Sequence, residues 1–283
     1  MLNYIQILIL AIIQGACELL PVSSSAHVIA TEKLMGLNPS APELTLLLVM
    51  LHTGTMFAVI VYFWNAWRRD YFQSRGQTQW FVIQLLIASF CTAVVYEVVK
   101  TVIRKVFLHG GDIEELFGNL QLIAVALAVV GVLIIFAGWR GEKRGPDKEI
   151  QPSHSVWIGI VQGFCIPFRG FSRSGSTIST GLLLGLPKKK LEEFSFALAV
   201  VLTPAAIAQE LHRLLKEHAF NGQTSLAHLL VPDVVGMIFS FAAGLLALKW
   251  LSRWLEGGRW SWFGYYCLAA AVGVLLIHSK FPN

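Results

Sequence analysis

The 283 residues are 55% hydrophobic and only 14% charged, where average soluble domains carry roughly 25% charged residues. So little polarity leaves no stretch for a separate soluble domain, and several stretches reach the about 20 apolar residues that a bilayer-crossing helix needs. The net charge of +5 lies mostly in short loops between these stretches, as the positive-inside bias produces, and no basic, aromatic-interleaved surface exists outside them, which excludes nucleic acid as a partner.

In chain order, the first apolar stretch covers about 4–31 and is broken at Pro21 and at Ser23-Ser24-Ser25. Continuous spans follow at about 43–64, 80–103 and 118–139. A second broken stretch covers about 154–187, interrupted at Pro167, Gly170 and Ser172-Arg173-Ser174-Gly175, and spans at about 192–214, 231–252 and 260–279 complete the chain. The apolar flanks of each break are short for a full crossing, which suggests re-entrant helix–loop–helix hairpins, with kinked spans as the competing reading. The expected fold is an all-α polytopic membrane protein with six transmembrane helices plus two re-entrant hairpins. Cys17, Cys91, Cys165 and Cys267 lie in apolar stretches without CxxC spacing and read as small buried side chains. The start of the chain lacks a basic region and a small-residue cleavage site, so no signal peptide is expected.

The two broken stretches resemble each other. Ile12-Ile13-Gln14-Gly15-Ala16-Cys17 aligns with Ile160-Val161-Gln162-Gly163-Phe164-Cys165, and Glu43-Leu44-Thr45-Leu46 with Glu193-Phe194-Ser195-Phe196 at a nearly equal offset. Two matches in order argue for an internal repeat, residues 1–150 and 151–283. Each half holds one hairpin and three spans, so the second half enters the membrane from the opposite side. Such inverted repeats place their site at the midplane, where broken helices meet. The larger set of basic residues, among them Arg68, Arg69, Arg140, Lys143, Arg144, Lys148, Lys188, Lys189, Lys190 and Arg253, marks the cytoplasmic side, against Lys33, Arg104, Lys105, Arg213, Lys216 and Lys280 on the other.

An ionisable group at membrane depth is a functional candidate by default. Gln14 and Glu18 are one turn apart on one helix face, a pair suited to hold a divalent cation, orient a water or fix a neighbouring histidine. After Pro21, the residues Ser23, Ser24 and Ser25 precede a new helix whose free N–H groups can take an anion, and His27 can act as acid or base towards Ser24 or the leaving group. In the second break Arg173 carries a planar fork suited to phosphate, flanked by Ser172, Ser174, Gly175 and Thr177. His52 and Glu210 have no evident role, and Glu97 and Lys100 are expected to pair. This chemistry suits a phosphate ester or pyrophosphate, and its burial suits a lipid that carries one.

The segments Gln14-Gly15-Ala16-Cys17-Glu18, Pro21-Val22-Ser23-Ser24-Ser25-Ala26-His27 and Gly170-Phe171-Ser172-Arg173-Ser174-Gly175 resemble the undecaprenyl pyrophosphate phosphatase family, also known for bacitracin resistance. The resemblance covers nearly the whole chain. It implies hydrolysis of undecaprenyl pyrophosphate to the monophosphate, which recycles the lipid carrier of cell-wall synthesis, at the outer face of the bacterial inner membrane and with a divalent cation (Mg²⁺ or Ca²⁺) near Gln14 and Glu18. It also implies that bacitracin competes for the lipid pyrophosphate, and it is compatible with a homodimer. The family's first acidic motif is often Glu-x-x-x-Glu. Here the first position is Gln14, so only Glu18 brings charge.

The mechanism expected from these residues has Arg173 and hairpin N–H groups holding the terminal phosphate, Glu18 and Gln14 positioning the cation or His27, and Ser24 attacking phosphorus while His27 shuttles the proton. Attack by His27 or by water stays open. The rival reading is a transporter or flippase of an anionic prenyl lipid, since inverted repeats with broken helices are the usual plan of secondary transporters.

Overall fold

The computed structural model describes residues 3–39, 41–108, 111, 113–141, 149–221, 226–255 and 259–280. Lys143, Arg144 and Lys148 lie outside these residues, as do the side chains of Glu43, Glu210, Arg213, Lys216 and Arg253. Ten α-helices appear in the described residues, with no strand among them: α1 (Tyr4–Glu18), α2 (Ser24–Leu34), α3 (Pro42–Asp70), α4 (Arg75–Val102), α5 (Leu120–Gly141), α6 (Pro152–Cys165), α7 (Arg173–Leu183), α8 (Lys188–Asn221), α9 (Leu226–Leu255) and α10 (Trp260–Lys280).

The two interrupted stretches each fold into two short helices. The α1 helix has 15 residues and α2 has 11, and α6 and α7 have 14 and 11. At 1.5 Å per residue none exceeds about 23 Å, short of the ~30 Å hydrocarbon core. Asn3 caps α1 with a reciprocal bond to Gln6, Pro152 opens α6 at its first turn, and serine caps start both inner helices, Ser23 for α2 and Ser172 for α7. Among the described residues five helices are long and apolar enough to cross a membrane: α3, α4, α5, α9 and α10. The sixth expected span falls on α8, part of whose side chains lie outside the description. The chain is a multi-pass membrane protein.

Packing follows from the apolar faces. On α5 the residues Ile123, Leu127, Val130 and Ile134 recur at three- to four-residue spacing and are fully buried, while Val125, Val129, Val132 and Phe136 face outwards, as expected where the surroundings are as apolar as the core. The α5 helix packs on α10 and α7, and α3 packs on α8. The α1 helix packs on α9 and α6 packs on α4, so the first helix of each hairpin leans on a long helix from the other half of the chain. Lys100, expected to pair with Glu97, lies over the Tyr96 ring, 5.4 Å from its centre.

The α3–α9 contact is backbone-close at Gly54. A Cβ there would fall 2.1 Å from the Met237 carbonyl oxygen and 2.2 Å from Ser240 Oγ, while that hydroxyl donates to the Leu51 carbonyl at 2.7 Å. Gly54→Ala is therefore expected to force the helices apart at a cost of about 1–3 kcal/mol. Thermal unfolding of the purified protein in detergent checks this, and an unchanged midpoint contradicts it.

Candidate active site

The α1 helix ends at Glu18, and Leu19 to Ser23 turn the chain back. Ser23 has φ +64°, the only non-glycine residue with positive φ among those described. The left-handed region is costly for a residue with a Cβ. Local bonds hold it there: Ser23 Oγ caps α2 through the Ala26 N–H at 3.4 Å, and the Ser23 carbonyl accepts from His27 Nδ1 at 2.8 Å. This turn sets Ser24 at the first position of α2, where its hydroxyl donates to Glu18 Oε2 at 2.5 Å. Gln14, one turn back on α1, donates through Nε2 to the same oxygen at 2.8 Å.

The second hairpin turns at Gly170 with φ +96°, and a Cβ there would lie 2.5 Å from the Ile123 carbonyl oxygen on α5. Only glycine meets both demands. The turn delivers Arg173 to the first position of α7, and Arg173 Nη2 donates to Glu18 Oε1 at 2.7 Å. One carboxylate thus joins the starts of two helices from the two halves of the chain. Each start leaves backbone N–H groups without intrahelical partners and a partial positive charge. Arg173 Nη1 is buried and has no hydrogen-bond partner.

His52 on α3 completes the cluster. Its Nδ1–H donates to the Leu48 carbonyl at 2.7 Å, which points Nε2 at Glu18 Oε2, 3.3 Å away. Glu18, His52 and Arg173 line a small, partly open pocket whose other walls are Thr55, Met56 and Val59 of α3 and Phe196, Ala199, Val200 and Thr203 of α8. The pocket suits a compact polar group, and a long apolar chain attached to that group must run outside it.

The residues expected from the sequence separate into two sets. Gln14, Glu18, Ser24 and Arg173 come together. His27 does not join them: Nδ1 is bound to Ser23, Nε2 meets the Tyr266 hydroxyl at 2.8 Å, and the two rings stack with centroids 5.6 Å apart. Both nitrogens are engaged, so this geometry does not give His27 the proton-shuttling role expected of it. Several hydroxyls expected at a phosphate also make local hydrogen bonds. Ser172 Oγ accepts from the Gly175 N–H as the cap of α7, the Thr177 hydroxyl meets Ser195 Oγ at 2.7 Å across to α8, and Ser25 Oγ lies 3.4 Å from Ser23 Oγ. Ser174 is buried. His52, one of the few ionisable groups at membrane depth and without an evident role in the sequence, joins this set through Glu18.

A resident divalent cation at Gln14 and Glu18 does not fit this arrangement. Glu18 Oε1 is bound to a guanidinium, and Oε2 already faces Ser24, Gln14 and His52. Gln14 turns an N–H donor, not an acceptor, towards the carboxylate. Among the described residues no three of His, Cys, Asp and Glu converge as metal ligands.

An all-helical membrane protein with a serine hydroxyl, a carboxylate and an arginine joined between two helix starts forms the class defined so far. The family model described as bacitracin resistance protein BacA matches residues 7–273. The chain is 56% identical to "Undecaprenyl-diphosphatase 2" of Acinetobacter baylyi over 97% of its own length and 98% of that protein. It is 33% identical to "Undecaprenyl-diphosphatase" of Rhodopirellula baltica over 99% and 100% of the two chains, and 32% identical to the protein of the same name of Korarchaeum cryptofilum over 95% and 97%. The chain belongs to the bacitracin resistance protein BacA family.

Proposed function

We propose that this protein is a membrane phosphatase that hydrolyses undecaprenyl diphosphate to undecaprenyl phosphate and inorganic phosphate. The observation that carries this reading is the single Glu18 carboxylate holding the Ser24 hydroxyl on one oxygen and Arg173 on the other. Ser24 Oγ attacks the terminal phosphorus as its proton passes to Glu18 Oε2, next to His52. The bond from that phosphorus to the bridging oxygen breaks, and its electron pair leaves with the lipid monophosphate. Arg173 and the N–H groups at the starts of α2 and α7 hold the charge on the transferred phosphoryl group. Water then cleaves the phosphoserine, and Ser24 recovers a proton. Recycling of the carrier lipid for peptidoglycan synthesis, and bacitracin resistance through competition for the same diphosphate, follow from this activity. The test is phosphate release from undecaprenyl or farnesyl diphosphate by the purified protein. Absence of release ends the reading, and substrate translocation without hydrolysis favours the transporter, for which a Ser24 hydroxyl on a carboxylate has no use.

Within this reading the architecture is six membrane spans and two re-entrant hairpins in an inverted repeat divided near residue 150. Its support is the equivalence of the α1–α9 and α6–α4 contacts. The protein resides in the bacterial inner membrane with its pocket open to the periplasmic face.

His27 serves the same site as a support for the Ser23 turn. His27→Ala is expected to lower the rate of phosphate release about 10- to 100-fold by releasing the turn that positions Ser24. Tyr266→Phe should lower it less, and the double variant should be no worse than His27→Ala alone. Additive losses in that cycle contradict the assignment.

A further inference from the structure

We propose that His52 stores the Ser24 proton during the reaction. Glu18 passes that proton to His52 Nε2 as Ser24 attacks, and the same path returns it when water releases the phosphoserine. The inference rests on the phosphatase reading above and gives work to a base that the reading leaves idle.

The ring is held ready for this. A backbone carbonyl can only accept a hydrogen bond, so the 2.7 Å contact of Nδ1 with the Leu48 carbonyl puts the proton of the neutral ring on Nδ1. Nε2 then carries a bare lone pair, and it faces Glu18 Oε2 at 3.3 Å. That oxygen is the one that accepts from Ser24 Oγ at 2.5 Å, while Oε1 is taken by Arg173. Ser24 Oγ, Glu18 Oε2 and His52 Nε2 therefore form one chain of transfer. Its last two atoms are both acceptors, and a proton that reaches Oε2 closes the gap between them with a hydrogen bond.

Charge decides where that proton rests. On Oε2 it would neutralise the carboxylate that Arg173 is paired with and strand a buried guanidinium. An imidazole is also about a hundredfold stronger base than a carboxylate. Arg173 and Arg169 act on the ring as charges too, and the negative charge of the bound diphosphate offsets the positive charge that the ring gains.

The two half-reactions differ in their need for the stored proton. In the first, the bond from Ser24 Oγ to phosphorus forms and the bond from phosphorus to the bridging oxygen breaks. Its electron pair leaves on the lipid monophosphate, a weak base that departs without a proton, and the Ser24 proton goes to His52. In the second, a water oxygen bonds to phosphorus and the bond to Ser24 Oγ breaks. That electron pair stays on Oγ, a strongly basic alkoxide, which takes the proton back from His52 through Glu18, while both water protons depart with inorganic phosphate. Loss of the store therefore falls hardest on the second half.

The experiment uses the purified full-length protein and two variants. His52→Gln keeps an N–H for Glu18 but has no base, and His52→Asn keeps an N–H for the Leu48 carbonyl. Each is given saturating farnesyl diphosphate radiolabelled in the terminal phosphate, and phosphate release and acid-stable label on Ser24 are measured together. The result is read from whichever variant keeps the thermal unfolding midpoint. Phosphate release is expected to slow about 10²-fold while label on Ser24 rises towards one per chain. Release within about threefold of the unmodified protein overturns the proposal. So does slower release with label no higher than in the unmodified protein, which is the result of a purely structural role in holding Ser24 in line. Release from the unmodified protein without label on Ser24 in any of the three overturns the proton store and leaves the phosphatase reading with another nucleophile. No release from the unmodified protein removes the phosphatase reading itself.

Discussion

Arg173→Ala is expected to reduce phosphate release at least about 10³-fold and to destabilise the protein as well. Two separate losses combine. In the absence of substrate the substitution strands Glu18, whose side chain is 10% exposed, and removing one member of a buried pair costs about 3–5 kcal/mol because the other charge remains desolvated. In the reaction the phosphoryl group loses the cation beside its oxygens, and at roughly 1.4 kcal/mol per factor of ten an interaction of that size alone accounts for two to three decades in rate. Arg173→Lys should recover stability but not full activity. An ammonium keeps the charge near Glu18, but it lacks the planar fork that binds Glu18 through Nη2 while Nη1 stays available to a phosphate oxygen. Pairing Arg173→Ala with Glu18→Gln should restore much of the stability and none of the rate, since the stranded charge is gone but neither role in the chemistry returns. Thermal unfolding and phosphate release measured on the same preparations separate the two losses. Full activity in Arg173→Ala would remove the arginine from the site.

The parts of this architecture that were legible in the sequence are those written locally. Pro21, Gly170 and the serine strings interrupt apolar runs too short to cross a bilayer, and the observed hairpins fall within a few residues of where those interruptions put them. Gln14 and Glu18 share a helix face by spacing alone, and Arg173 in a Ser- and Gly-rich break is costly enough in a membrane to mark a site. What was not legible depends on contacts between distant elements. His27 lies one turn beyond Ser24, which by spacing puts both on one face of α2, yet its Nδ1 closes back on the Ser23 carbonyl and its ring stacks on Tyr266 of α10. His52 reaches Glu18 only because α3 passes beside the end of α1, a crossing that no local pattern announces. The hydroxyls of Ser172 and Thr177 illustrate a further limit. A serine before a helix is equally a cap and a phosphate ligand in sequence, and here Ser172 caps α7 while Thr177 links it to α8.

The sharpest single substitution is Ser24→Ala, because it removes the attacking atom and very little else. The hydroxyl makes one hydrogen bond, to Glu18, and its loss should cost about 1–3 kcal/mol of stability, with Arg173, Gln14 and His52 still engaging the carboxylate. The hairpin turn is set by Ser23 and His27 and should survive. Phosphate release should nevertheless fall by at least about 10⁴-fold, since an activated nucleophile is replaced by a methyl group. Glu18→Gln removes the proton acceptor while retaining an oxygen for Arg173, and positioned acid–base groups contribute about 10²–10⁴-fold, so its loss should lie in that range. Rapid acid quenching of turnover with a substrate radiolabelled in the terminal phosphate distinguishes the steps. The unmodified protein should carry acid-stable label on Ser24, Glu18→Gln should acquire it slowly, and Ser24→Ala should carry none. Label that survives an alkaline quench but not the acid one, as on a histidine, or a Ser24→Ala variant within tenfold of full activity, would mean that this carboxylate activates water or a different nucleophile.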